Sequence, residues 1–281
     1  MADGPVTRFA PSPTGFLHLG HAYAALVARR EAGAGQFLLR IEDIDRERCK
    51  PEFEDAIFED LQWLGLTWRE PVMRQSDRMA AYRDALNRLS PLTYPCQCRR
   101  GDIRAALSAP QEGALPAGPD GLIYPGTCRH RSMADAGPDD VIRLDVARAF
   151  DALGIDQLSF RDRLIMPDHD HILTRDQFLD GIGDVILSRR GMGTSYHLAV
   201  VVDDAEQGIS MVTRGKDLFD STWIHVLLQK LLKLPTPLYL HHHLIRDDAG
   251  KRLAKRDDAR AIRAYREDGA SPADLRAMLG V

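Results

Sequence analysis

Cysteine is scarce in this sequence, with four residues in 281. Four thiols make no disulfide framework at this length. Cys96 and Cys98 lie too close to bridge each other, so reduced thiols or metal ligation fit them better. Long apolar runs are also missing. The aliphatic stretch LAVVV at 198–202 suits a buried strand and falls far short of the ~20 residues that span a bilayer, so no membrane partner is expected. The residues after Met1 read ADGPVTRF, with no basic and then apolar leader, so a cytoplasmic location is expected. Charge of one sign is not in excess either. A formal net charge of −4 excludes a generally basic polyanion binder, and any contact with nucleic acid must rest on local patches.

What remains is an ordinary globular composition, 44% hydrophobic and 28% charged, ample for a sizeable core. VTRFA reads as a short strand, Pro11 to Gly15 as a turn, Leu19 to Ala32 as a helix and QFLLRIED as a second strand, the size of a right-handed βαβ unit. A helix opening on Pro51 and another capped by Ser76 follow. Residues 108–139 are rich in Ala, Pro and Gly and read as a long loop or excursion. Strand patterns return at DDVIRLDV and near 157–160, and DVILSRRGMGTSYHLAVVVDD reads as two apolar strands joined by a glycine turn. A helix over 217–232, the strand PLYLHHHLI and a final loop and helix complete the chain. The expected fold is α/β, a Rossmann-type parallel sheet interrupted by an insertion. Its expected divisions are 1–95 and 176–250 for the two halves, 96–175 for the insertion, and 251–281 for a loop with a short helical segment.

Three constellations carry chemistry. In HLGH, His18 and His21 share one side of a first helical turn, where backbone N–H groups and the helix dipole favour an anion. Imidazoles there can follow charge as it develops in a displacement at phosphorus, and Gly20 lets a flat base approach the backbone. The same four residues also fit two surface histidines near a turn. The second constellation is the run 251–266, with seven Lys or Arg against two Asp, which suits either a phosphate clamp or a solvated helix start. The third is Cys96, Cys98 and Cys128, able to hold Zn²⁺ with one more ligand from Tyr124 or His130, or to be three buried free thiols. The HDH at 169–171 and HHH at 241–243 read as structural or surface groups, because alternate strand residues face opposite ways. His243 is the one expected near the nucleotide.

RFAPSPTGFLHLGH resembles the HIGH signature of class I aminoacyl-tRNA synthetases in its glutamyl and glutaminyl form. LRIEDIDRER and SYHLAVVVDDAEQGISMVTRGKDL are similar to further blocks of that branch, and KRLAKRD to the KMSKS signature, with Ala254 in place of the usual serine. The resemblance implies ATP as a substrate, bound through His18, Gly20, His21 and Lys255, with His18, His21 and Lys255 as the catalytic set. It also implies a pocket for L-glutamate made of Arg8, Ser12, Glu42, Tyr196 and Arg214. Arginine forks suit carboxylates, and a glutamate side chain suits an ammonium. The cysteine pattern C-x-C…Y-x-x-x-C resembles that of glutamyl-queuosine tRNA(Asp) synthetases, which implies one structural Zn²⁺ on Cys96, Cys98, Tyr124 and Cys128. Mg²⁺ would arrive with ATP.

Only 25 residues follow Arg256, so a catalytic half without an anticodon-binding domain is expected, acting as a monomer. The implied reaction joins glutamate to the queuosine base in the anticodon loop of tRNA(Asp). A truncated glutamyl-tRNA synthetase charging tRNA(Glu) and a non-enzymatic zinc-dependent tRNA-binding module are the alternatives. Arg99, Arg100, Arg104, Arg129 and Arg131, with the 251–266 run, are the expected basic face for tRNA.

Overall fold

The computed structural model describes residues 4–107, 115–245 and 260–281. Strand β1 (Val6–Phe9), helix α1 (Leu19–Ala32) and strand β2 (Gln36–Ile41) form the expected βαβ unit, with β1 and β2 parallel and Arg8 opposite Leu38. Small residues let α1 lie close on β1, and Ala22, Ala25, Ala28 and Ala32 are all buried. At the helix exit the backbones of Gly35 and Pro5 approach so closely that a Cβ on Gly35 would meet the Pro5 oxygen at 2.1 Å.

After α2 (Pro51–Trp63), β3 (Arg69–Arg74) adds a third parallel strand beside β2. The sequence pattern does not announce β3, because REPVMR is charged and exposed over its first half. A short 3-10 turn, Gln75–Arg78, separates it from α3 (Met79–Leu89), so Ser76 lies inside that turn and does not cap α3.

The middle of the chain is built from short pieces. They are β4 (Thr93–Cys96), α4 (Arg100–Leu107), the hairpin β5 (Ala117–Gly118) and β6 (Gly121–Leu122), β7 (Val141–Leu144), α5 (Val146–Leu153), the hairpin β8 (Gln157–Arg161) and β9 (Asp170–Thr174), α6 (Arg175–Gly181) and β10 (Ile186–Ser188). Strands β10, β7 and β4 make an antiparallel sheet in that order. The stretch 108–139 is therefore more ordered than its composition suggests, since beyond 114 it holds the β5–β6 hairpin and a 3-10 turn at Met133–Asp135.

The second half carries the main correction. LAVVV is not a strand but the middle of helix α7 (Tyr196–Glu206), whose N-cap Ser195 accepts from Leu198 N at 3.3 Å. Burial all round removes the amphipathic signature, and a short apolar run cannot be assigned by periodicity alone. Tyr196 thus opens a helix. Strand β11 (Met211–Gly215) follows, then a 3-10 turn at Lys216–Leu218 in place of the first turn of the expected helix. Helix α8 (Ser221–Leu231) and strand β12 (Leu238–His242) come next, with β11 and β12 parallel. Ser210 N donates to Val6 O at 3.1 Å, so β11 runs beside β1. The chain leaves β1 towards β2 on one side and returns as β11 on the other, the arrangement that opens a crevice at the carboxyl ends of the strands. The tail gives two helices rather than one, α9 (Ile262–Glu267) and α10 (Pro272–Leu279), the second capped by Ser271.

One core packs Leu17, Leu26, Ile41, Ile57 and Leu61 with Ile262 and Leu275, which ties the tail helices to the first half. A second joins Phe150, Phe178 and Leu187 to Ile224 and Leu228. No helix among the described residues is long and apolar enough to cross a membrane.

Candidate active site

The first turn of α1 is capped by its own histidines. His18 is the N-cap in extended backbone, and its Nδ1 accepts from Gly20 N at 3.0 Å. His21 returns the bond, with its Nδ1 accepting from His18 N at 3.2 Å, and the ring centroids are 3.8 Å apart. Because both Nδ1 atoms accept, the neutral rings carry their hydrogens on Nε2. The cap fixes the tautomer and places the N–H of each ring on the side away from the cap.

A cavity of about 450 Å³ beside this helix start is lined by Arg8, Ser12, His21, Glu42, Tyr196 and Arg214, among others. All five residues expected to hold an amino acid face it. Ser12, Glu42 and Tyr196 also line an adjoining cavity of about 340 Å³. His18 and Gly20 occupy the helix start itself, and Lys255 lies outside the described residues.

The floor of the cavity is a buried charge network, of which sequence reasoning named Arg8 and Glu42 and missed Arg40, Asp203 and Asp204. Arg8 donates from Nε and Nη2 to the two oxygens of Asp204 at 3.0 and 3.2 Å, and from Nη1 to Thr213 O at 3.2 Å. Arg40 is fully buried and donates to Asp204 at 2.7 Å, Glu42 at 3.1 Å and Gln207 at 2.9 Å. Burial pushes the carboxyl of Asp204 up, but Arg8 and Arg40 outweigh it and hold the group below its ordinary value. For Glu42 burial wins over the same two arginines, and its carboxyl is raised. Burial likewise raises the Tyr196 phenol. The signal that would have found this floor is Arg40 itself, a charge set between Leu39 and Ile41 in a buried strand, with Asp203 and Asp204 closing an apolar helix.

Arg214 is held differently. Its Nε donates to His241 Nε2, its Nη1 to His225 Nδ1 and its Nη2 to Thr222 Oγ1, at 3.1, 3.1 and 2.5 Å. The three consecutive histidines at 241–243, two of them in β12, do not converge. His241 Nδ1 meets Asp162 at 2.6 Å, His242 Nδ1 meets the His243 carbonyl at 2.8 Å, and His243 Nδ1 meets Tyr23 Oη at 3.0 Å. In the other pair, His171 Nε2 meets Ile165 O at 2.7 Å.

The cysteine cluster lies in the middle segment. Cys96, Cys98 and Cys128 bring their sulfurs within 4.8 Å of one another, and Cys98 and Cys128 are 3.6 Å apart. Tyr124 Oη lies 3.3 Å from Cys96 Sγ and 3.5 Å from Cys98 Sγ. Tetrahedral Zn²⁺ with bonds of ~2.3 Å to sulfur sets its sulfur atoms about 3.8 Å apart, so this donor set fits the ion. His130 is exposed and is not part of the cluster. Burial raises the Cys98 thiol to about 11. Burial acts the same way on Cys128, but hydrogen bonds from Tyr124 and the Gln97 backbone outweigh it and lower that thiol. Of the expected basic face, Arg99, Arg100 and Arg104 are exposed. Arg129 pairs with Asp184 at 2.5 Å and Arg131 with Asp140 at 2.9 Å.

Residues 6–281 match the family model described as tRNA synthetases class I (E and Q), catalytic domain. A Glutamyl-Q tRNA(Asp) synthetase of Rhodobacter capsulatus is 55% identical over 285 residues, covering 98% of this chain and 100% of the relative. One from Symbiobacterium thermophilum is 40% identical, covering 94% of this chain and 82% of the relative. Among solved structures, a glutamate tRNA ligase from Elizabethkingia meningosepticum, crystallised with its amino acid, superposes with a TM-score of 0.75 at 25% identity. That likeness covers 99% of this chain and 61% of the ligase. Family model, relatives and the helix-start histidines beside a charged cavity agree, and the chain belongs to the class I tRNA synthetases of the E and Q type.

Proposed function

We propose that this enzyme activates L-glutamate with ATP to glutamyl-adenylate and passes the glutamyl group to the queuosine base in the anticodon loop of tRNA(Asp). The observation that carries the reading is the single cavity shared by Arg8, Ser12, Glu42, Tyr196 and Arg214, with His21 of the helix start on its wall. Glutamate would lie among those five, its carboxylates towards the guanidinium groups and its ammonium towards Glu42. An α-carboxylate oxygen attacks the α-phosphorus of ATP, the bond to the β-phosphate oxygen breaks, and pyrophosphate leaves. The Nε2–H donors of His18 and His21, the positive end of α1 and Lys255 supply positive potential where charge develops, and Gly20, without a Cβ, lets the adenine base approach the helix backbone. No covalent enzyme intermediate is needed, since positioning and electrostatics account for the step.

Mg²⁺ enters with ATP. Zn²⁺ would be held by Cys96, Cys98, Tyr124 and Cys128, where it ties the end of β4 to the 124–128 turn and supplies stability rather than chemistry. The organisation that goes with this reading is an insertion at 96–175 between the halves 1–95 and 176–250, with 251–281 bearing the second signature. The exposed Arg99, Arg100 and Arg104 would meet tRNA phosphates.

Glutamate-dependent exchange of pyrophosphate into ATP, run without tRNA and beside glutamine and aspartate as controls, tests the first half-reaction. Exchange that requires glutamate supports the reading. No exchange by folded, metal-replete protein would overturn it.

A further inference from the structure

Arg8 and Arg40 each pair with a carboxylate, so the protein itself offsets their charge. Arg214 is equally buried, at 6% exposure, yet its three partners are a hydroxyl and two imidazoles. A guanidinium has five N–H groups, so three are committed and two remain for a ligand.

Hydrogen-bond direction fixes the state of each ring. His225 Nδ1 accepts from Arg214, so its Nε2 bears the hydrogen and donates to His197 Nδ1 at 3.0 Å. His197 Nδ1 is then an acceptor, its Nε2 bears the hydrogen, and this donates to both oxygens of Asp120 at 2.9 Å. On the other side His241 accepts at Nε2 and donates from Nδ1 to Asp162. Burial, with the adjacent Arg214 charge, holds His225 well below its ordinary value, in keeping with a neutral ring.

The far end of this chain comes from the middle segment. Asp120 sits at the tip of the β5–β6 hairpin, and that hairpin lies so close to the end of α6 that a Cβ on Gly118 would meet Gly181 O at 2.5 Å. His197 follows the pocket residue Tyr196 on α7, and His225 is on α8.

We propose that Asp120, His197 and His225 are positioning residues, a directional relay by which the inserted hairpin fixes the Arg214 guanidinium and keeps its charge and two N–H donors for a substrate carboxylate. The proposal rests on the reading of the cavity as a glutamate site. Carboxylates in place of the two imidazoles would neutralise Arg214 and weaken its pull on the substrate, whereas neutral acceptors orient it without cancelling its charge.

The test uses the full chain and the pyrophosphate exchange assay. Asp120 is 38% exposed on its side chain, so Asp120→Ala removes the acceptor without opening a core. The expected result is a KM for L-glutamate raised about tenfold, the worth of one hydrogen bond to a charged group, with kcat and the KM for ATP held within about twofold. Asp120→Asn, whose amide oxygen still accepts from His197, returns the KM to near the wild-type value. A glutamate KM unchanged in Asp120→Ala overturns the proposal. So does a uniform fall in all parameters together with the melting temperature, which marks a merely structural role. The ¹⁵N shifts of labelled histidine rings read the relay independently of activity. His225 and His197 should each show a protonated Nε2 and an accepting Nδ1, with the His197 pattern lost in Asp120→Ala. Should the wild type show no glutamate-dependent exchange, the functional reading fails. Ring shifts of the opposite tautomers would instead sink the relay.

Discussion

Asp204→Asn isolates the charge balance under the cavity. Asp204 stands between two buried guanidinium groups, with Arg8 Nε at 3.0 Å and Arg40 Nη1 at 2.7 Å, and its side chain is 8% exposed. The substitution removes one negative charge and turns an amide N–H where only acceptors fit. Breaking a buried pair from one side costs ~3–5 kcal/mol. Glu42 at 3.1 Å and Asp203 at 4.0 Å still flank Arg40, so the loss should fall at the low end. With a urea slope of about 3 kcal/mol/M, a loss of about 3 kcal/mol moves the unfolding midpoint down by about 1 M. The pH dependence has a definite sign. Asp204 is held below the ordinary 3.8 in the folded protein, so its contribution is complete above that value and is lost as pH falls through the lower, folded value. The gap between wild type and variant should stay flat from about pH 8 to about pH 5 and narrow below 3.8. Urea denaturation followed by circular dichroism across that range reads both. A midpoint shift under about 0.2 M, or a gap that widens in acid, would refute the argument.

Asp60 makes the opposite case. Burial raises its carboxyl from 3.8 to about 6, and its Oδ2 has no hydrogen-bond partner. A raised folded value means stability is lost as pH rises from about 4 to about 6. Arg266 and Arg263 already pull the group down towards that value, so at about 1.4 kcal/mol per tenfold in proton affinity the cost would be ~3 kcal/mol, less where solvent screens the carboxylate. Thermal melts should therefore show Asp60→Asn more stable than wild type at pH 7.5 and no better near pH 4. If Cys96, Cys98, Tyr124 and Cys128 hold the proposed ion, elemental analysis should give one zinc per chain. Cys98→Ser should lose the metal, Tyr124→Phe should bind it more weakly, and His130→Ala should retain it. At the helix start, His21→Ala removes both a cap to His18 N and an N–H donor. Exchange should fall by roughly 10²–10³-fold, with stability down by about 1 kcal/mol in urea melts. A loss of exchange no larger than the stability change accounts for would reduce His21 to a cap.

The βαβ unit was legible because helix, turn and strand signals agree over residues 6–41, and that five distant residues line one cavity was legible because three separate blocks resemble one family. What stayed hidden is what sequence distance hides. Arg40, Asp203 and Asp204 are ordinary charges until a strand and a helix far apart in the chain pack together. Histidines 197, 225 and 241 acquire direction only when Arg214 sets them in order. LAVVV misleads for a physical reason, since burial on every side of α7 erases the period that separates helix from strand. The KMSKS-like stretch with Lys255 lies outside the described residues, so its part in the site rests on the family resemblance.

If the cavity activates glutamate for transfer to queuosine, label from glutamate must reach only tRNA that carries that base. Incubating the metal-replete protein with ATP, [¹⁴C]glutamate and tRNA(Asp), with and without queuosine at the anticodon, tests it most directly. Acid-insoluble label is expected only on the queuosine-containing tRNA, with none on tRNA(Glu). Label on tRNA(Glu), or on tRNA(Asp) that lacks queuosine, would contradict it.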